Sequence, residues 1–151
     1  MKNYTITIDT GTTNTRVFLF NEKNEVAASA KSEIGVRITA IDGNNNRLKT
    51  AIRGCLEEVL KQAGITYDEV KKVVASGMIT SNVGLVEIPH VIAPASAEDL
   101  AEAAKSVLIE DVCPLPILFI PGVKNRDGKL DLATFESMDM MRGEEVETVA
   151  V

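Results

Sequence analysis

The sequence is poor in the side chains that hold metals and in the charge that holds nucleic acid. Of 151 residues, two are cysteine and one is histidine. Cys55 and Cys113 lie far apart and form no CxxC pair, so a zinc site is not expected. Both are read as reduced, buried thiols acting as small hydrophobes. Lys and Arg number 16 against 22 Asp and Glu, a net charge of −6. Non-specific nucleic-acid binding needs a cationic surface, so no nucleic-acid partner is expected. A small anion is still compatible with an acidic chain, because converging amide donors can bind it locally. No apolar run is long enough to span a bilayer. The opening "MKNYTITIDT" enters a strand pattern without a signal-peptide core. The expectation is a cytoplasmic protein with no membrane partner. Repeats and low-complexity segments are absent too. What remains is 45% hydrophobic and 25% charged, the make-up of one soluble globular domain.

Periodicity supplies the elements. Tyr4, Ile6 and Ile8 alternate with Thr5, Thr7 and Asp9, the period of a strand with one apolar face. "TRVFLFNEKNEVAASAKSEIG" reads as two more strands joined at Asn21 to Asn24, giving a three-stranded antiparallel meander. Leu48, Ile52, Cys55, Leu56, Val59 and Leu60 recur at helical spacing. Asp42, Asn44 or Asn45 can cap that helix and Gly64 can end it. "VKKVVASG" is a short β-branched run stopping at Gly77, and "MITSNVG" is compatible with a short helix. "VEIPHVIAPAS" is extended and broken by prolines. Ser96 with Glu98 and Asp99 resembles a capping box for a helix reaching about Leu108. "PILFIPG" reads as a buried strand, Asp127-Gly128 as a hairpin turn, and "MDMMRGEEVETVAV" as a loop entering a helix. Three adjacent strands followed by α/β crossovers predict a mixed sheet with helices on its faces. "EEVETVAV" carries no stop signal, so the chain is read as the first half of something longer.

The turn between the first two strands is unusually rich in hydroxyls. Thr10, Gly11, Thr12, Thr13, Asn14 and Thr15 lie between Asp9 and Arg16. Backbone N–H groups and hydroxyls gathered in a Gly-containing turn suit phosphate oxygens. Asp9 at the strand end can hold Mg²⁺ directly or through its waters, as phosphoryl transfer requires. Arg16 can pair with Asp9 or orient the turn. The plain alternative is a hairpin whose threonines favour strands. The turn is neither a Walker A loop, since no Lys follows a Gly at the needed place, nor a dinucleotide fingerprint.

"IDTGTTNTR" resembles the first phosphate motif of the acetate and sugar kinase/Hsc70/actin superfamily. That resemblance implies an α/β, ribonuclease-H-like (actin-like ATPase) domain whose sheet starts with three antiparallel strands. "IGVRI", "SGMITSNVGLVEIPHVIAPAS", "FIPGV" and "MMRGEE" follow one another as in the 2-dehydro-3-deoxygalactonokinase family. These blocks run from Ile6 to Glu145. The resemblance implies ATP- and Mg²⁺-dependent phosphorylation of the 6-hydroxyl of 2-dehydro-3-deoxy-D-galactonate, a small-molecule sugar acid. It implies proteins roughly twice this length, a multi-domain size. Residues 1–151 would then be an N-terminal actin-like kinase domain lacking its C-terminal half. Apolar surface meant for that half would allow self-association into a homo-oligomer.

Site residues follow from this. Gly11, Thr12, Thr13, Asn14, Thr15 and Arg16 are expected to bind the nucleotide. Ser76, Gly77, Met78, Ser81 and Asn82 follow a buried strand, where ligands of open α/β sheets tend to sit. They are expected to face the substrate, the alternative being a helix cap and a tight turn. Arg37 can pair with the sugar-acid carboxylate or be a solvated surface arginine. Arg142 can bind a phosphate or that carboxylate. Such a kinase needs a carboxylate near the acceptor hydroxyl, and Asp139 and Glu144 are the candidates. Glu145 and Glu147 are read as helix-start acids, His90 as a packing residue, and Met138, Met140 and Met141 as core fillers. Two rivals use the same fold: another kinase or a dehydratase activator, and a non-enzymatic assembly or regulatory protein. The activator needs cluster-ligating cysteines, for which Cys55 and Cys113 are poorly placed.

Overall fold

The computed structural model describes residues 1–124 and 140–141. The meander forms as the alternation predicts, from β1 (Tyr4–Thr10), β2 (Thr15–Phe20) and β3 (Val26–Ser32), all antiparallel. The β2–β3 turn is closed by Asn21, whose Oδ1 accepts from Lys23 N–H at 2.9 Å and Glu25 N–H at 3.0 Å. Asn24 takes the left-handed conformation there, at φ 60°, which Asn tolerates better than most residues.

A short helix that periodicity missed, α1 (Arg37–Asp42), follows β3 and ends at Gly43 with φ 72°. The long helix α2 (Asn46–Ala63) buries the six apolar residues expected of it and ends at Gly64 with φ 67°. Asn45 occupies its N-cap position but makes no side-chain cap bond. Its amide instead donates to Gly84 O at 3.4 Å, a tertiary contact no local pattern announces.

β4 (Val70–Gly77) runs parallel to β1 and is followed by a tight turn, Met78–Thr80, in 3-10 conformation. Then come β5 (Val91–Ile92), α3 (Ala97–Ala103), β6 (Lys105–Val107), β7 (Ile117–Phe119), β8 (Val123–Lys124) and β9 (Met140–Met141). The capping box is present: Ser96 Oγ accepts from Asp99 N–H at 3.2 Å, and Asp99 Oδ2 accepts from Ser96 N–H at 2.8 Å. The Ser96 N–H, together with the Ser96 hydroxyl that donates to Asp99 Oδ2 at 3.0 Å, holds the Asp99 carboxyl below its usual range. The helix stops at Ala103 rather than near Leu108, because Lys105–Val107 pairs antiparallel with Ile117–Phe119. Met140–Met141 pairs with β8 where a loop was expected. The Asp127-Gly128 turn and the terminal helix lie outside the described residues.

The main sheet has the order β3-β2-β1-β4-β7-β6, and a small second sheet the order β5-β8-β9. This is the mixed α/β arrangement predicted, with β1 central and β4 and β7 parallel to it. Helix α2 lies across β2 and β3. Its six side chains join Ile6, Ile8, Val17, Leu19, Val73, Ala75, Ile117 and Phe119 in one core. In a folded protein most of a helix's stability comes from packing its apolar face rather than from propensity. Burying six apolar side chains contributes on the order of 10 kcal/mol, so packing holds α2 in place. On the opposite face, Thr5, Thr7, Asp9, Phe18 and Phe20 are half-buried. No helix among the described residues is long and apolar enough to cross a membrane.

Candidate active site

The hydroxyl-rich turn sits at the carboxyl end of β1, beside the carboxyl end of the parallel strand β4. Gly11 N–H donates to Asn14 O at 2.8 Å and closes the turn. Thr10 and Thr15 are fully buried, with hydroxyls 3.3 Å apart. Thr15 Oγ1 donates to Ile34 O at 2.8 Å. A hydroxyl has one proton, so Thr15 must accept from Thr10. This chain of bonds ties both ends of the turn to Ile34, just beyond β3, and the Thr15 hydroxyl points into the fold. Thr12 and Thr13 are exposed, and Asn14 Nδ2 donates to Thr13 Oγ1 at 2.9 Å.

Asp9 is half-buried and occupies the strand face that also carries its register partners, Arg16 on β2 and Ser76 on β4. Gly77 follows Ser76 with φ 90° and ψ −151°. A Cβ there would stand 2.9 Å from Asp9 Oδ1 and 2.6 Å from Thr10 O. Glycine is thus required twice, for the backbone angle and for the close approach. The carboxylate and the turn together form a cradle that a side chain would fill.

Beyond Gly77, the segment folds on itself. Thr80 Oγ1 donates to Gly77 O at 3.1 Å and Ser81 Oγ to Met78 O at 2.7 Å. Leu85 N–H reaches Ile79 O at 2.9 Å and Ile88 N–H reaches Thr80 O at 3.0 Å. Ser81 is buried, Met78 half-buried and Asn82 exposed. The structure therefore brings Ser76 and Gly77 to Asp9, while the Ser81 hydroxyl bonds within its own loop.

Arg37 joins the site through its backbone, whose N–H donates to Thr12 O at 2.9 Å. Its exposed side chain borders a hollow of 180 Å³ shared with Thr12, Thr13, Glu33, Ile38 and Ile41. A larger hollow of 690 Å³ lies at the other end of the sheet, against Lys2, Thr5, Phe20 and Lys72, away from the turn. Asp139, Arg142 and Glu144 lie outside the described residues. Gly35 and Val36, within the "IGVRI" block, touch the turn, whereas the sequence gives a site role in that block to Arg37 alone. A lone Gly between Ile34 and Val36, at a strand-to-helix passage, was the available signal.

With this geometry in hand, likeness to known proteins carries weight. A family model described as 2-keto-3-deoxy-galactonokinase matches residues 9–151. A Sinorhizobium meliloti crystal structure, provisionally described as a 2-dehydro-3-deoxygalactonokinase protein, superposes with a TM-score of 0.67 over 95% of this chain. Its identity is 22%, so that likeness speaks for the fold. A glycerol kinase from Oceanobacillus iheyensis is 30% identical over 71 residues, 45% of this chain. The chain spans 40% of the length of the first relative and 14% of the second.

Proposed function

The chain belongs to the 2-keto-3-deoxy-galactonokinase family, and from that premise we propose that it supplies the phosphate-binding side of a sugar-acid kinase. The reaction would move the γ-phosphoryl group of ATP to the 6-hydroxyl of 2-dehydro-3-deoxy-D-galactonate. The acceptor oxygen bonds to phosphorus, the bond to the ADP oxygen breaks, and the hydroxyl proton passes to a carboxylate. The observation that carries this reading is the cradle at the end of β1: Asp9 beside Gly77, next to a turn with exposed Thr12 and Thr13.

The donor set fits a nucleotide with its metal. Asp9 would hold Mg²⁺, directly or through water, and Thr12 and Thr13 offer N–H and O–H groups to phosphate oxygens. Gly11 and Asn14 close the turn, Thr15 anchors it, and Arg16 adds a cation beside Asp9. When bound, the ion would offset charge on the phosphoryl group. Ser76, Gly77, Met78, Ser81 and Asn82 form the side on which the sugar acid would lie. Arg37 or Arg142 would pair with its carboxylate. Asp139 or Glu144 would take the proton. A second domain would cover the nucleotide, which fits the 40% share of the Sinorhizobium structure that this chain spans. The setting would be the cytoplasm.

The test is ADP release by the full-length gene product across a panel of sugar acids. Turnover strongest with 2-dehydro-3-deoxy-D-galactonate is expected. Preference for an unrelated acceptor, or ATP hydrolysis with none, overturns the reading.

A further inference from the structure

The phosphate-side turn is gripped from behind by residues far along the chain. Gly35 is buried, and a Cβ on it would stand 2.5 Å from Gly11 O and from both C and O of Thr12. Gly35 is not among the glycines of positive φ, so alanine is excluded there by space rather than by backbone angle. The approach is sealed by two hydrogen bonds. Val36 N–H donates to Gly11 O at 3.1 Å and Arg37 N–H to Thr12 O at 2.9 Å.

These bonds set the direction of the turn's donors. In a planar trans peptide, the carbonyl of one residue and the N–H of the next point in opposite directions. Fixing Gly11 O and Thr12 O on residues 36 and 37 therefore turns the N–H groups of Thr12 and Thr13 the other way. Both residues are exposed, and neither amide has a hydrogen-bond partner among the described residues. Without the clamp, each peptide could rotate and present its carbonyl to an anion instead.

We propose that Gly35 and the Val36 amide are positioning elements that aim the Thr12 and Thr13 N–H groups at the phosphates of the nucleotide. The proposal rests on the kinase reading for the identity of the anion. It makes part of the affinity for ATP depend on residues that do not touch ATP.

The experiment follows the Thr12 and Thr13 amide resonances of residues 1–151 as magnesium–ATP is added, with the unfolding midpoint recorded for each variant. Val36 has φ −65°, the angle proline imposes, so Val36→Pro deletes the N–H donor without demanding a new backbone angle there. Val36→Ala keeps the donor and loses side-chain packing. Gly54→Ala is the matched control, since a Cβ there meets nothing within 4 Å. Both amides are expected to shift in the unaltered protein, with similar Kd in Val36→Ala and Gly54→Ala. Kd is expected to rise tenfold or more in Gly35→Ala and Val36→Pro. If Gly35→Ala fails to fold, the Val36 pair decides alone. Equal Kd for Val36→Pro and Val36→Ala overturns the proposal, as does an unaltered protein whose two amides do not respond. Amides that respond as expected, in a gene product that phosphorylates no sugar acid, leave the positioning role standing and overturn the kinase reading.

Discussion

Gly77 lies so close to Asp9 that any side chain on it would press against the carboxylate: a Cβ would stand 2.9 Å from Asp9 Oδ1. Gly77→Ala adds left-handed strain at φ 90° to that clash. Strain of this kind costs roughly 1–3 kcal/mol. Denaturant unfolding is expected to show a loss of about that size or more. ATP turnover in the full-length protein should fall with it. Unchanged stability would mean that the β4 end is free to move away from Asp9.

Asp9→Asn keeps the size of the side chain and removes its charge. In the full-length protein the variant should fold normally while kcat drops on the order of 10²–10³-fold, the scale of losing one preorganised electrostatic group. Near-normal kcat at saturating Mg²⁺ would take Asp9 out of the mechanism.

On the proposed function, Arg37 or Arg142 would pair with the acid end of the substrate. A hydrogen bond to a charged group is worth about 1.5–3 kcal/mol, so replacing the right arginine with Met should raise KM for the sugar acid by roughly 10- to 150-fold. KM for ATP should change little. Normal KM for the acid in both single variants would place recognition elsewhere.

Residues 1–151 alone should bind ATP weakly and turn over no sugar acid. The described residues offer the turn at Gly11–Asn14 but nothing that encloses a nucleotide, and the open hollow beside the turn measures 180 Å³. Phosphoryl transfer depends on positioning and on exclusion of water. A phosphorylation assay on the purified chain checks this. Turnover at ordinary kinase rates would show that these residues suffice.

Much of the fold was legible because its signals are local. Alternation marked β1 and β2, helical spacing picked out all six buried residues of α2, and Gly64 and the Ser96–Asp99 box marked helix ends. The turn was legible for the same reason, since Asp9 through Arg16 are contiguous. What depended on distant partners was not. Lys105–Val107 looks helical by itself and becomes a strand only because Ile117–Phe119 offers it an edge. The Asn45 amide leaves its cap for Gly84 O, which no neighbour in sequence predicts. The Thr15 hydroxyl was read as a ligand donor, and tertiary structure gives it Ile34 O as acceptor. By itself the sequence determined which residues make the turn. Only the folded chain decided which way its amides face, because that direction is set by backbone bonds from Val36 and Arg37, reached through a gap that Gly35 leaves open.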